Sequence, residues 1–194
     1  MVDEEEAKAL EELGVRDSKR LSPRRREKLA SRIKNVAVRC SYVELQPSEI
    51  DKFVLSQMRL RKLNFLEAGA MAVVIEDLRP EVAYVDASDV LAERFGRQIL
   101  ELLSFDVEVV SEHKADAKYP VVSAASILAK VRRDEVVLRL SERFGRLGSG
   151  YSGDSKTINF LRSWVNSHPS YPWFVRKSWR TTKRIMDEVR QTHL

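Results

Sequence analysis

Residues Glu112–Asp134 read EHKADAKYPVVSAASILAKVRRD. An acid stands between two lysines (Lys114, Asp116, Lys118), a proline follows, and the next positions are almost all small. Pro120 suits the first position of a helix, where its missing N–H costs nothing, and neither Gly nor Pro interrupts Val121 to Phe144. The spacing predicts one long helix beginning just after a charged loop. Small side chains at Ser123, Ala124, Ala125, Ser126 and Ala129 allow a neighbouring backbone or sheet to approach it closely. Ile127, Leu128, Val131, Leu138 and Leu140 supply apolar bulk. A helix N-terminus favours negative charge, so Asp116 and Ser123 serve either as caps of a core helix or beside an anionic ligand.

Upstream, Glu81–Asp86 (EVAYVD) reads as a short buried strand ending in an acid, Val90–Leu103 as a helix, and Asp106–Val110 as a second strand. Strand, helix, strand implies parallel strands joined by a right-handed crossover, and ligands of such sheets gather beyond the carboxyl ends of the strands. Asp86 lies at one such end and Asp116 just after the next, so both can face one crevice. Asp89 is expected as the N-cap of the intervening helix.

Nearer the start, Asp3–Leu13 predicts an acidic helix closed by Gly14, and Ser22-Pro23 opens a second helix. That helix begins Arg24-Arg25-Arg26, against its own macrodipole, which suggests phosphate contact. Val36–Leu45 (VAVRCSYVEL) has strand composition, with Cys40 expected as a small buried hydrophobe within it. Leu60, Leu63, Asn64, Ala68, Met71, Val74, Ile75 and Leu78 predict one long helix ending before Pro80. Toward the C-terminus, helices are expected over Ser155–Ser167 and Ser178–Gln191. The stretch GSGYSGD, Gly148–Asp154, reads from composition alone as a flexible interhelical loop.

The 194 residues suffice for one good-sized domain with a small appendage. The longest apolar runs fall short of a membrane span and the acidic start is not a leader peptide, so a cytoplasmic protein is expected. With a single cysteine, metal would have to be held by oxygen or histidine. The net charge of +5 conceals an asymmetry: Met1–Gly14 carries −5, Arg16–Lys34 carries +7 and Tyr171–Leu194 carries +4. Two basic clusters suit a polyanion, nucleic acid being the commonest, although charge on helices also serves as a solvated face.

HKADAKYPVVSAASILAKVRRD, from His113, closely resembles a signature of archaeal ribonuclease HII. DSKRLSPRRRE (Asp17–Glu27), YVDASDV (Tyr84–Val90), GSGY (Gly148–Tyr151) and VRKSWRT (Val175–Thr181) resemble the same family in the same order. The resemblance implies an α/β fold, a ribonuclease H-like mixed sheet flanked by helices, with a small C-terminal helical extension. It divides the chain into a catalytic core at 1–145 and a helical substrate-binding region at 146–194. It also implies an endonuclease cutting the RNA strand of RNA–DNA hybrids and the 5′ side of ribonucleotides embedded in duplex DNA, acting as a monomer with Mn2+ or Mg2+.

Water-driven phosphodiester cleavage needs an activated water and a stabilised leaving oxygen, work that two divalent ions about 3.5–4 Å apart perform when carboxylates hold them. By resemblance Asp86 and Asp116 are the catalytic acids at the metal, Asp86 as a ligand and Asp116 as a direct or later-shell ligand that also helps handle the proton. Ser18, Lys19 and Lys114 are substrate contacts, Gly148 and Gly150 bring backbone near the ribose 2′-hydroxyl, and Tyr151 stacks on a sugar at the scissile junction. Two departures stand out. Ser152-Gly153 replaces a common Pro-Ser, which predicts a looser loop. No DEAGRG motif is present, so an opening hairpin with two further acids is expected to be missing. That expectation leaves a second reading, a hybrid-binding remnant with impaired catalysis. A third is a basic interaction protein indifferent to the 2′-hydroxyl.

Overall fold

A computed structural model describes residues 1–15, 21–56 and 62–192. The chain divides into two compact units. Met1–Glu44 with Leu63–Arg132 forms the first, and Leu45–Lys62 with Arg133–Leu194 forms the second.

In the first unit, α1 (Glu4–Glu12) starts with a reciprocal cap in which the Glu6 side chain accepts the Asp3 N–H at 2.8 Å. Helix α2 (Pro23–Val36) has Ser22 as its N-cap, the hydroxyl accepting from Arg25 N–H at 3.4 Å, and Pro23 at its first position, as the sequence predicts. Arg24 and Arg25 are exposed there, whereas Arg26 is half-buried and donates to the Leu21 carbonyl. Leu10, Leu29, Ala30 and Ile33 from these helices pack on Ala124, Ile127, Leu128 and Val131 of the long helix. The small-residue face of that helix receives a backbone, as expected: fully buried Ser123 donates its hydroxyl to the carbonyl of Val15, itself fully buried.

The sheet pairs β1 (Val82–Asp86) with β2 (Glu108–Glu112) in parallel, Asp86 lying opposite Glu112. A helix, here α5 (Ala92–Leu100), connects the two strands as anticipated, although β2 runs two residues further along the chain than its composition suggested. Ala83 and Val85 point to one side, where Ala68, Ala72 and Ile75 of α4 (Lys62–Leu78) and Phe95 and Ile99 of α5 complete an apolar core. Fully burying a side chain such as Phe95 or Ile99 contributes roughly 1.5–3 kcal/mol. Tyr84 and Asp86 alternate to the other side.

Three expectations are corrected. Val36–Leu45 is not a strand: α2 consumes Val36 and the remainder is irregular, its Val38 N–H bonded to the Met1 carbonyl and Arg39 accepting from the Met1 ammonium. Two strands are therefore found among the described residues where three were predicted. Cys40 is exposed and not buried. β-branched composition marks residues that fit a pleated surface, but a strand forms only where a neighbour supplies the ladder. The long helix expected to end before Pro80 is α4. Pro47–Leu55 forms its own helix, α3, before α4, and Leu60 lies outside the described residues.

Beyond β2 come α6 (Ala115–Lys118) and α7 (Pro120–Phe144), the latter starting at the predicted proline. In the second unit, α8 (Ser155–Ser167) and α9 (Arg180–Thr192) pack through Leu161, Val165 and Ile185 with Tyr171 and Val175. Asp51 of α3, 8% exposed, accepts the backbone N–H groups of Lys177 at 2.8 Å and Ser178 at 3.0 Å. Burial pushes its carboxyl upward, but the hydrogen bonds from Ser178 and Lys177 win and hold it below the usual range. This carboxylate fastens the unit's two separate chain segments to one another.

Candidate functional site

The acids expected from the sequence lie at and just beyond the carboxyl end of the sheet in the first unit. Asp86 closes β1, and its Oδ1 accepts the Ala115 N–H at 3.2 Å. That N–H is available because Lys114 adopts a left-handed conformation (φ 57°), turning the chain sharply out of β2 into α6. Asp116, the next residue, is buried at 8% exposure, while Lys114 is exposed. One backbone turn thus ties the strand-end acid to the residue that precedes the HKAD acid.

A third acid shares this sheet face and escaped the sequence reading. Glu112 accepts Lys118 Nζ at 2.8 Å on both carboxylate oxygens and the Tyr119 hydroxyl at 2.8 Å. Tyr119 in turn rests on Tyr84, ring centroids 4.5 Å apart. The Lys118 ammonium, then the Tyr119 hydroxyl, lower the Glu112 carboxyl below its ordinary range, and Glu112 raises Lys118 above its own. Glu112 is therefore committed to holding the α6 turn. Placing β2 two residues too early put Glu112 outside the strand and hid its pairing with Asp86.

Asp89 is not the helix N-cap, which is Leu91. It accepts the Leu91 N–H at 2.9 Å and Asn64 Nδ2 at 3.3 Å, and it is paired through both oxygens with Arg94. The Arg94 guanidinium, then the Leu91 N–H, hold its carboxyl at about 2. Asp89 fixes the β1–α5 connection.

In the second unit the glycine loop is built, contrary to the expectation of a loose linker. Asp154 accepts Ser149 N–H at 2.6 Å, Ser149 Oγ at 2.9 Å and Lys156 N–H at 3.2 Å. The Ser149 N–H, then its hydroxyl, pull the Asp154 carboxyl down to about 2. Thr157 Oγ1 accepts Gly150 N–H at 3.0 Å and lies 2.8 Å from the Leu147 carbonyl and 3.1 Å from Asp154 Oδ2, its single proton serving one of the two. Thr181 Oγ1 reaches the Ser152 carbonyl at 3.2 Å, so the Ser-Gly departure leaves this part of the loop anchored. Gly148 (φ +72°) and Gly150 (φ +71°) need their positive φ, and a Cβ on Gly148 would stand 2.7 Å from Thr157 N. Tyr151 is 51% exposed, one ring face covered by the Arg133 guanidinium at 3.7 Å from the centroid. Asp154, Thr157 and Arg133 were not picked out from the sequence; the Asp–Ser–Lys–Thr run opening α8 was their one local signal. Ser18 and Lys19 lie outside the described residues.

Among the described residues no group of three or more His, Cys, Asp or Glu stands together as a metal cage. Asp86 and Asp116 nevertheless fit an ion of the Mg2+ kind, which keeps several waters and takes one or two carboxylates, with substrate phosphate filling the rest.

Acids at the ends of parallel strands, in a protein with strongly basic segments, define an α/β protein suited to a phosphodiester backbone. The ribonuclease HII family model matches residues 1–182, and the chain belongs to that family of endoribonucleases. It is 46% identical to Ribonuclease HII of Thermococcus kodakarensis over 97% of this chain and 81% of that protein. The crystal structure of ribonuclease H2 from Pyrococcus horikoshii OT3 superposes with a TM-score of 0.87 at 37% identity, covering 98% of this chain and 88% of that one. Bst-RNase HIII in complex with Mn2+ shares the fold at 18% identity and a TM-score of 0.76, over 98% of this chain and 63% of that one. Ribonuclease HII enzymes use a divalent cation. Membership of the family, with the relatives and the solved structure that match over nearly the whole chain, favours the nuclease over the impaired remnant. No described helix is long and apolar enough to cross a membrane.

Proposed function

We propose that this chain cuts the RNA strand of RNA–DNA hybrids and the 5′ side of ribonucleotides embedded in duplex DNA. Asp86 and Asp116 would hold Mg2+ or Mn2+. The observation that supports the reading is the hydrogen bond from Ala115 N–H to Asp86 Oδ1 at 3.2 Å, which ties the strand-end acid to the residue preceding Asp116. A bound ion there polarises the phosphoryl oxygen and lowers the pKa of its water. The residues do the rest. Asp86 is oriented by the α6 backbone, Asp116 is shielded from bulk water, Lys114 and Lys19 neutralise phosphate charge, and Ser18 offers phosphate a hydroxyl donor. Gly148 and Gly150 bring backbone close to the ribose, and Tyr151 stacks on the sugar at the junction. Residues 1–145 supply the catalytic part and 146–194 the substrate-binding part of a monomer working in the cytoplasm.

The test is cleavage of a DNA duplex containing one ribonucleotide, with Mg2+ or Mn2+, by this chain and by Asp86→Asn. Cutting 5′ to the ribonucleotide by the parent and its loss in the variant are expected. A parent that binds the duplex yet cuts with neither ion would overturn the reading.

A further inference from the structure

The aromatic of the glycine loop does not stand alone. Arg133, on α7, lays its guanidinium over one face of Tyr151 at 3.7 Å from the ring centroid. The same guanidinium donates through Nη1 to the Ser149 carbonyl at 3.0 Å and approaches Asp134 Oδ1 at 3.3 Å. The backbone on the N-terminal side of Tyr151 is equally constrained. Gly150 N–H is tied to Thr157 Oγ1, and a Gly150 Cβ would lie 3.1 Å from Val137, one turn beyond Arg133 on α7. Ring and cation are thus both fixed to α7, while half of the tyrosine's surface remains in solvent.

We infer that Arg133 is a positioning residue that makes Tyr151 a one-faced stacking platform, an inference resting on the proposed role of Tyr151 at the nucleic-acid sugar. An unsupported exposed tyrosine would swing about χ1 and lose rotamer freedom on binding. One already pinned by a cation on its far face meets that cost before the ligand arrives. A planar guanidinium can stack on a ring as an ammonium cannot, and its positive charge draws on the ring's negative face. The open face is left for a neutral partner, the C–H face of a pentose or a base.

A double-mutant cycle tests this in the full-length chain with a duplex holding one ribonucleotide. R133M and Y151L should each lower kcat/KM about tenfold, as expected for loss of a cation–aromatic or stacking contact. The double variant should fall no more than about twofold below the worse single, because both remove the same platform. R133K keeps the charge and a donor for the Ser149 carbonyl, so it should fold like the parent yet lose roughly threefold. Duplex binding in EDTA should keep its salt slope in R133M, whereas loss of a direct phosphate contact would flatten it by about 0.9. Multiplying losses, a flattened slope, or an R133K equal to the parent would each overturn the inference. If R133M does not fold, the cycle is read with R133K. If the parent binds but never cuts, the proposed function fails, and the cycle is then read in binding affinity alone.

Discussion

Asp86 of the first unit and the two anchoring aspartates of the second are used in opposite ways. In the second unit, Asp51 and Asp154 are saturated by backbone donors: Asp51 takes two N–H groups across 126 and 127 residues of sequence, and Asp154 takes two N–H groups and the Ser149 hydroxyl. At the strand ends of the first unit, Asp86 accepts one N–H among the described residues, at a long 3.2 Å. Ionised carboxylates have about four acceptor sites, so the pinned acids spend theirs on the fold while Asp86 retains most of its own for a ligand. Acid count therefore does not separate Asp86 from the anchoring aspartates; the acceptor capacity each has spent does.

Activity and stability should separate along that line. Asp86→Asn is expected to lower cleavage on the order of 10³-fold, since a catalytic ion is worth several kcal/mol of transition-state stabilisation. Its unfolding free energy should stay within about 0.5 kcal/mol of the parent, because Asn Oδ1 can still accept the Ala115 N–H. A parallel fall in urea midpoint would show that Asp86 is structural after all. Asp51→Ala should do the reverse. Leaving two buried N–H groups without their charged acceptor costs about 2–4 kcal/mol, read by urea unfolding. A loss below about 1 kcal/mol would mean that water replaces the carboxylate.

Gly148→Ala comes next, at about 1–3 kcal/mol, from a left-handed φ combined with a Cβ pressed on the Thr157 backbone. A neutral outcome in the same measurement would show that the loop relaxes freely and that its pinning is weak. The smallest effect is a pH dependence. With its folded carboxyl at about 2, below the ordinary 3.8, Asp154 contributes stability fully present above about pH 4 and lost as pH falls towards 2. The stability gap between the parent and Asp154→Asn should be constant at neutral pH and close across that window. A gap unchanged at pH 2.5 would remove Asp154 as the charged anchor.

Much of the fold around Asp86 was legible in the sequence. The HKAD run, Pro120 and the small residues after it located α7 and its buried face. Strand, helix, strand placed Asp86 and Asp116 at one end of a parallel pair, because alternation and helix-capping chemistry are written in consecutive residues. Val36–Leu45 misled for the opposite reason, since strand composition is local while its ladder partner is not. The glycine loop misled in the other direction. Its order comes from Asp154, Thr157, Arg133 and Thr181, side chains whose contacts composition does not encode.

By itself, then, the sequence determined the family, the starts of α2, α7 and α8, and the place of Asp86 at a strand end, each carried by short-range patterns of residue type. Tertiary structure alone decided which acids are spent and which retain acceptor capacity. It committed Glu112 to Lys118 and Tyr119, turned Asp89 toward Arg94, and set Arg133 beneath Tyr151. Those assignments depend on which donors the folded chain brings within about 3 Å, a distance to which hydrogen bonds and ion pairs are acutely sensitive and which residue order leaves open.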